Sequence, residues 1–129
     1  MAALFENVHQ DDQLGFWADS TFQPKQVAEF LEFDTNDISK IAGVAKVSVR
    51  YDEKMPKQVK DHLEQIANVC NLVANFFDGD AIKTALWFKT SNPQLGGVTP
   101  RDMICVGRYK KLMQFIVDAV ERNRAPQAA

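Results

Sequence analysis

The sequence predicts an all-α protein in which an N-terminal helix-turn-helix-like lobe packs on a C-terminal helical domain. Three observations carry that prediction. Val59, Leu63, Ile66, Val69, Cys70, Val73 and Phe77 recur at spacings of three and four, one apolar stripe along a long helix, with Lys60, Asp61, Glu64 and Asn68 off the stripe. Thr99-Pro100-Arg101-Asp102 reads as a helix start, with a capping Thr, a Pro in the first turn and an acid three residues after the cap. No segment reads as a strand, and no internal repeat is found.

The chain has 129 residues, 46% hydrophobic and 25% charged, with six Gly and five Pro, which is a globular profile rather than a disordered or low-complexity one. A chain of this length buries roughly 65–70% of its unfolded surface and needs no metal or disulfide framework to fold. Its net charge of −2 argues against coating nucleic acid by bulk charge, though not against a local basic face. That charge is uneven: −6 over residues 1–34, +3 over 35–60 and +1 over 61–129. Cys70 and Cys105 lie 35 residues apart on apolar helical stretches and read as small buried hydrophobes rather than as a disulfide. The N-terminus lacks a signal-peptide succession and no apolar run approaches ~18 residues, so a cytoplasmic protein with no membrane span is expected.

Taken in order, residues 1–21 form an acidic arm without a sustained period. It carries Leu4, Phe5, Leu14, Phe16 and Trp17, too many large apolar groups for a free tail, and is expected to pack back on the body or on a second subunit. Residues 22–55 form the second segment. QPKQVAEFLEF places Pro24 at a first helical position with Val27, Phe30 and Leu31 on one face, and DTNDISKIAGV has an Asp34/Thr35 cap and stops at Gly43. AKVSVRYDEKM is shorter and β-branched. Residues 56–124 form the third segment, with the long helix from about Pro56 to Phe77, an Asp78 or Asp80 cap for AIKTALWFKT, and the loop SNPQLGGVTP. The Thr99 helix start follows, and a last helix, broken or bent near Gly107, runs to about Asn123.

Catalytic chemistry finds little support. His9 and His62 are the only imidazoles, and His62, beside Leu63 at the edge of the stripe, reads as a core or rim histidine rather than a base. There is no GxSxG, HExxH, GxxxxGK[ST] or strand-linked GxGxxG. Asp34/Asp37 and Asp78/Asp80 read as helix caps rather than paired acid and base. The two His and two Cys do not have metal-ligand spacing. No catalytic residue, cofactor or metal is expected.

Residues 35–51 fit a helix-turn-helix, with Ser39 as the small residue on the first helix, Gly43 at the turn and Val49 as the β-branched packing residue. The second helix then turns outward Ala45, Lys46, Ser48, Arg50 and Tyr51. Lys46 and Arg50 could reach bases or phosphates and Ser48 a phosphate. The alternative is a pair of packed helices that keeps the turn and never touches DNA. Two cations are too few for tight operator binding, so a dimer, or assembly with a partner, is expected to join half-sites.

Residues 85–116 are the most distinctive. A Trp87-Phe88 helix end enters Asn92-Pro93-Gln94-Leu95-Gly96-Gly97, then Pro100-Arg101-Asp102-Met103-Ile104, then Gly107-Arg108 through Leu112. So stiff a loop is either a structural corner or a partner-binding surface. The run resembles the toxin-binding domain of the MbcA/ParS/Xre antitoxins, and with the weaker helix-turn-helix the resemblance extends over about residues 22–122. It implies an antitoxin of a type II toxin–antitoxin pair with no catalysis of its own. Its implied partner is a RES-domain toxin, NAD-consuming or ADP-ribosylating, whose active site it obstructs. The upstream domain would serve autoregulation on operator DNA and homodimerisation. Carried over by position, Trp87, Asn92, Pro93, Leu95, Gly96, Gly97, Pro100 and Arg101 would form or shape the toxin-facing loop, and Arg108 is a candidate for reaching an acidic or phosphate-seeking pocket; Lys110 and Lys111 read first as a solvated helix face and only second as sharing that role. The other reading is a stand-alone helix-turn-helix regulator with no toxin partner.

Overall fold

The computed structural model describes residues 12–122. Its chain enters along the body, not away from it. The Asp12 carboxylate accepts the Phe16 and Trp17 N–H groups at 2.9 and 2.8 Å and the Asn71 side-chain amide at 3.0 Å, while the Asn71 oxygen accepts Leu14 N–H at 3.1 Å. This pins Phe16 into the core edge-on to Phe30, with ring centroids 5.5 Å apart. Leu4, Phe5 and His9 lie outside the described residues. For residues 12–21 the expectation that the arm packs back on the body holds.

A small antiparallel hairpin follows, β1 (Trp17–Ala18) with β2 (Thr21–Phe22), pairing Trp17 with Phe22 and Ala18 with Thr21. The sequence did not announce it. Its turn places Asp19 and Ser20 at positive φ, 50° and 67°, where hairpins ordinarily use Asn-Gly or Asp-Gly.

Six α-helices follow among the described residues. α1 (Pro24–Phe30) begins at Pro24 and buries Val27 and Ala28. It ends in a Schellman-type stop: Phe33 N–H reaches Ala28 C=O at 2.8 Å and Glu32 N–H reaches Glu29 C=O at 3.1 Å. Glu32, rather than a glycine, takes the left-handed position with φ 57°. α2 (Thr35–Ala42) opens on a reciprocal capping box between Asp34 and Asp37 and stops at Gly43. The backbone N–H of Asp37 holds the Asp34 carboxyl below its ordinary value. α3 (Lys57–Ala74) realises the apolar stripe, continued by a 3-10 turn over Asn75–Phe77. α4 (Ala81–Lys89) is capped by Asp80, which accepts Lys83 N–H at 3.0 Å. α5 (Pro100–Cys105) is capped by Thr99, and α6 (Tyr109–Glu121) follows a break at Gly107.

α3 is the axis of the fold, packed on by α1, α2, α4 and α6, with α5 joining α2, α4 and α6. One hydrophobic cluster takes Phe16 and Phe22 from the entry, Val27 and Leu31 from the α1 region, and Ile38 from α2. It continues through Leu63, Ile66, Val69, Cys70 and Val73 on α3 to Phe88, Met103, Ile104, Leu112 and Ile116. The protein is thus mostly helical, as expected.

The second helix of the expected helix-turn-helix does not form. After Gly43 there is a single 3-10 turn, Lys46–Ser48, and then non-helical chain to Pro56. The run Val47-Ser48-Val49 alternates β-branched residues, and Asp52 accepts Lys54 N–H at 3.0 Å, a local turn that competes with helix. With no second helix to pack against, Ser39 does not serve as the expected small packing residue; its hydroxyl instead donates to Val44 C=O at 2.5 Å.

Asn71 is 3% exposed and its amide is satisfied by the entry segment. Asn71→Ala is therefore expected to leave Leu14 N–H and one Asp12 oxygen without that partner and to destabilise the protein by about 1–3 kcal/mol in urea unfolding. Limited proteolysis should cut within residues 12–16 faster in the variant than in the parent.

Candidate functional site

The loop between α4 and α5 is organised around Asn92. Its side-chain oxygen accepts Gln94 N–H at 2.9 Å, its backbone N–H donates to Val98 C=O at 3.0 Å, and its C=O accepts Leu95 and Gly97 N–H at 2.9 and 3.0 Å. Asn92 is 1% exposed, so the hub of the loop is inside it. Pro93–Leu95 form a 3-10 turn, and Gly96 and Gly97 follow at φ 82° and 85°. A Cβ at either glycine would meet nothing within 4 Å, so the requirement there is conformational, not spatial. Leu95 is half-buried against the core; Pro93, Gln94, Gly96, Gly97 and Val98 face solvent.

The loop stands on buried supports. Trp87 and Phe88 are both buried, with ring centroids 5.0 Å apart and nearly perpendicular, and Pro100 is buried at the head of α5. Of the residues carried over as toxin-facing, Trp87, Asn92 and Pro100 thus shape the loop from beneath, while Pro93, Gly96 and Gly97 form its surface, together with the exposed edge of Leu95. Arg108, at the α5–α6 corner, is exposed.

Arg101 departs from the expectation of an outward-facing residue. Its Nε donates to Leu31 C=O at 2.5 Å, and its Nη2 to Glu32 C=O at 2.7 Å and to Asp37 Oδ2 at 3.2 Å. The guanidinium lies 5.0 Å from the Phe33 ring centroid. The planar fork therefore ties α5 to the α1–α2 connection. The left-handed Glu32 is held at both ends, its C=O by Arg101 and its carboxylate by Lys89, which lowers the Glu32 pKa. Asp37 serves the Asp34 cap and Arg101 with the same oxygen.

The sequence reading missed the apolar positions left outside. Ile82 is 81% exposed and Leu86 62%, one turn apart on α4, with Thr84, Trp87 and Phe88 buried on its other side. Val98 and Val106 are also exposed, and together with Asp102, Met103 and Arg108 they line a hollow of about 530 Å³ between the loop and α5. The available signal was AIKTALWFKT itself, which is apolar on more than one helical face, where a surface helix keeps one.

The proposed DNA-facing residues do not share a helical face. Lys46 and Ser48 lie in the 3-10 turn. Arg50 is paired with Asp52 at 2.6 Å, which holds that carboxyl below its ordinary value through the hydrogen bond. Tyr51 is 40% exposed, its phenol pushed up by partial burial and then by the Glu29 charge. His62 is exposed, its Nδ1 donating to Gln58 C=O at 2.7 Å. Cys70 and Cys105 are both free thiols, and burial raises the pKa of each. Among the described residues no group of three or more His, Cys, Asp or Glu is placed to hold a metal, and no helix is long and apolar enough to cross a membrane.

Compared with protein-family models, curated proteins and solved structures, the chain matches none.

Because Arg101 bonds two main-chain carbonyls, Arg101→Lys keeps the charge and loses the fork. A stability loss of about 1–3 kcal/mol is expected. The double variant with Asp37→Ala should destabilise by less than the sum of the singles, since both remove one network. Unaltered stability in Arg101→Lys would show that Arg101 is not the clamp.

Proposed function

We propose that the chain is an antitoxin that neutralises a RES-domain toxin by binding it and obstructing its active site. The observation that carries the reading is the pre-formed 92–98 loop. It is closed on Asn92, exposes Pro93, Gly96, Gly97 and Val98, and belongs to the same α4–loop–α5 unit as the uncovered Ile82, Leu86 and Val106. A stiff loop among exposed apolar side chains is suited to protein docking, since little order is lost on binding and apolar area is at hand. The residues 87–112 that resemble the MbcA/ParS/Xre toxin-binding domain are the ones that build this loop and its supports. No observation favours the stand-alone DNA-binding reading, whose recognition helix is reduced to one 3-10 turn.

The test is to sequence the neighbouring gene and, where it encodes a RES-domain enzyme, to co-express the two, reading growth and cellular NAD. Toxin alone should collapse NAD and the pair should hold it. If NAD falls equally at matched expression of both, the reading is wrong.

Two variants separate surface from scaffold. Leu86→Asp leaves the core intact and is expected to weaken the complex by about 2 kcal/mol or more, roughly 30-fold in Kd, with unfolding unchanged. Gly96→Asp places a side chain at φ 82° and is expected to cost about 1–2 kcal/mol of local strain, distorting the loop and reducing neutralisation. Full neutralisation by both folded variants would move the contact surface elsewhere.

A further inference from the structure

We propose that the cleft between α2, α3 and the α5–α6 corner is a binding site for a nucleoside phosphate. The inference does not depend on the antitoxin reading. The cleft has a volume of about 640 Å³, within the size range of small-ligand sites. Its floor is apolar: Ile41 from α2, Ile66 from α3 and Ile104 from α5. Tyr109 forms a fixed wall, since its hydroxyl donates to Gln65 C=O at 3.1 Å and burial raises its pKa, keeping the phenol neutral.

The rim has the opposite character. Arg108, Lys110 and Lys111 line the cleft together with His62, and no Asp or Glu does, in a chain whose net charge is −2. None of the three cations has an ion-pair partner among the described residues, as is true of most of the chain's Lys and Arg there, so all three are open to an anion. His62 is turned by its Nδ1 bond to Gln58 C=O, which leaves Nε2 for a ligand.

An apolar floor with cations gathered at one end suits a ligand with a flat, weakly polar body and an anionic head. A nucleobase on the isoleucines, with its phosphate among Arg108, Lys110 and Lys111, satisfies both halves. A polynucleotide would instead draw its affinity from phosphates tracked along an extended cationic groove. Here the three cations fall within four consecutive positions, 108–111, beside the three isoleucines.

The test is amide-resolved NMR titration of the full chain with AMP, adenosine, inorganic phosphate and a short oligothymidylate. AMP should give saturable shifts at Ile104, Gly107–Lys111 and Gln65–Ile66. Adenosine and phosphate alone should each bind at least about tenfold more weakly, since each supplies one half of the recognition. The double variant Lys110→Ala/Lys111→Ala should lose at least about tenfold in AMP affinity with an otherwise superimposable spectrum, and Lys110→Arg/Lys111→Arg should keep it. The proposal is overturned if millimolar AMP gives no saturable shift at these residues, if adenosine binds as well as AMP, or if the alanine variant binds AMP undiminished. It is equally overturned if the oligothymidylate occupies the same residues more tightly than AMP, which would make the cleft part of a nucleic-acid surface.

Discussion

The burial of α3 is the constraint on which the other elements depend. Half of its 18 residues are buried, and they are not confined to one stripe: Ile66 and Ala67, and the triplet Val69-Cys70-Asn71, turn apolar or buried positions to neighbouring sides. A helix of that kind cannot lie on a surface; it has to be surrounded. α1, α2, α4 and α6 supply the enclosure, and the entry segment covers what remains. The entry segment is held there by Asn71, a polar group that so apolar an environment tolerates only because Asp12 and Leu14 satisfy it. One buried amide thus helps fix where the segment from Asp12 to Trp17 lies.

The second level of organisation is Arg101. Its fork reads the carbonyls of Leu31 and Glu32 and the carboxylate that caps α2, so the α1–α2 connection and the start of α5 move as one piece. The same connection is gripped from α4 by Lys89 through the Glu32 carboxylate. The two ends of the 92–98 loop are therefore tied to a common support, and the loop is closed within by the Asn92 bonds. Its stiffness is a property of the whole α1–α2–α4–α5 assembly rather than of its prolines and glycines alone.

Much of this was legible in the residues, because it rests on local rules. The Asp34, Asp80 and Thr99 caps, the stops at Gly43 and Gly107, Pro24 and Pro100 at helix starts, and the α3 stripe all act over a few positions. What failed was non-local or finely balanced. Arg101 has the spacing of a solvent-facing first-turn residue; its acceptors lie 69 and 70 positions earlier in the chain, and no local pattern reports them. Residues 44–55 satisfied the small, turn and β-branched positions of a helix-turn-helix, but those positions only permit a second helix. Val47-Ser48-Val49 and the Asp52 turn oppose it. The hairpin at 17–22 carries no local sequence signal, since its turn uses Asp19 and Ser20 at positive φ without a glycine.

The inward engagement of Arg101 and Asn92 alters the kind of recognition the loop can offer. Both are polar side chains at positions where a partner contact would ordinarily be assigned, yet their hydrogen-bonding capacity is directed into the fold. What remains outward is main chain at Gly96 and Gly97, the ring of Pro93, and the aliphatic side chains of Ile82, Leu86, Val98 and Val106. Fully burying one such side chain contributes about 1.5–3 kcal/mol, whereas an exposed charge pair rarely exceeds 1 kcal/mol. Binding through this surface would draw on shape and apolar area, with Arg108 at the margin giving direction more than strength. Such binding should depend weakly on ionic strength, unlike an operator contact built on Lys46 and Arg50. On that reading, the placement of the charges, and not only their number, would separate protein docking from nucleic-acid binding in this chain.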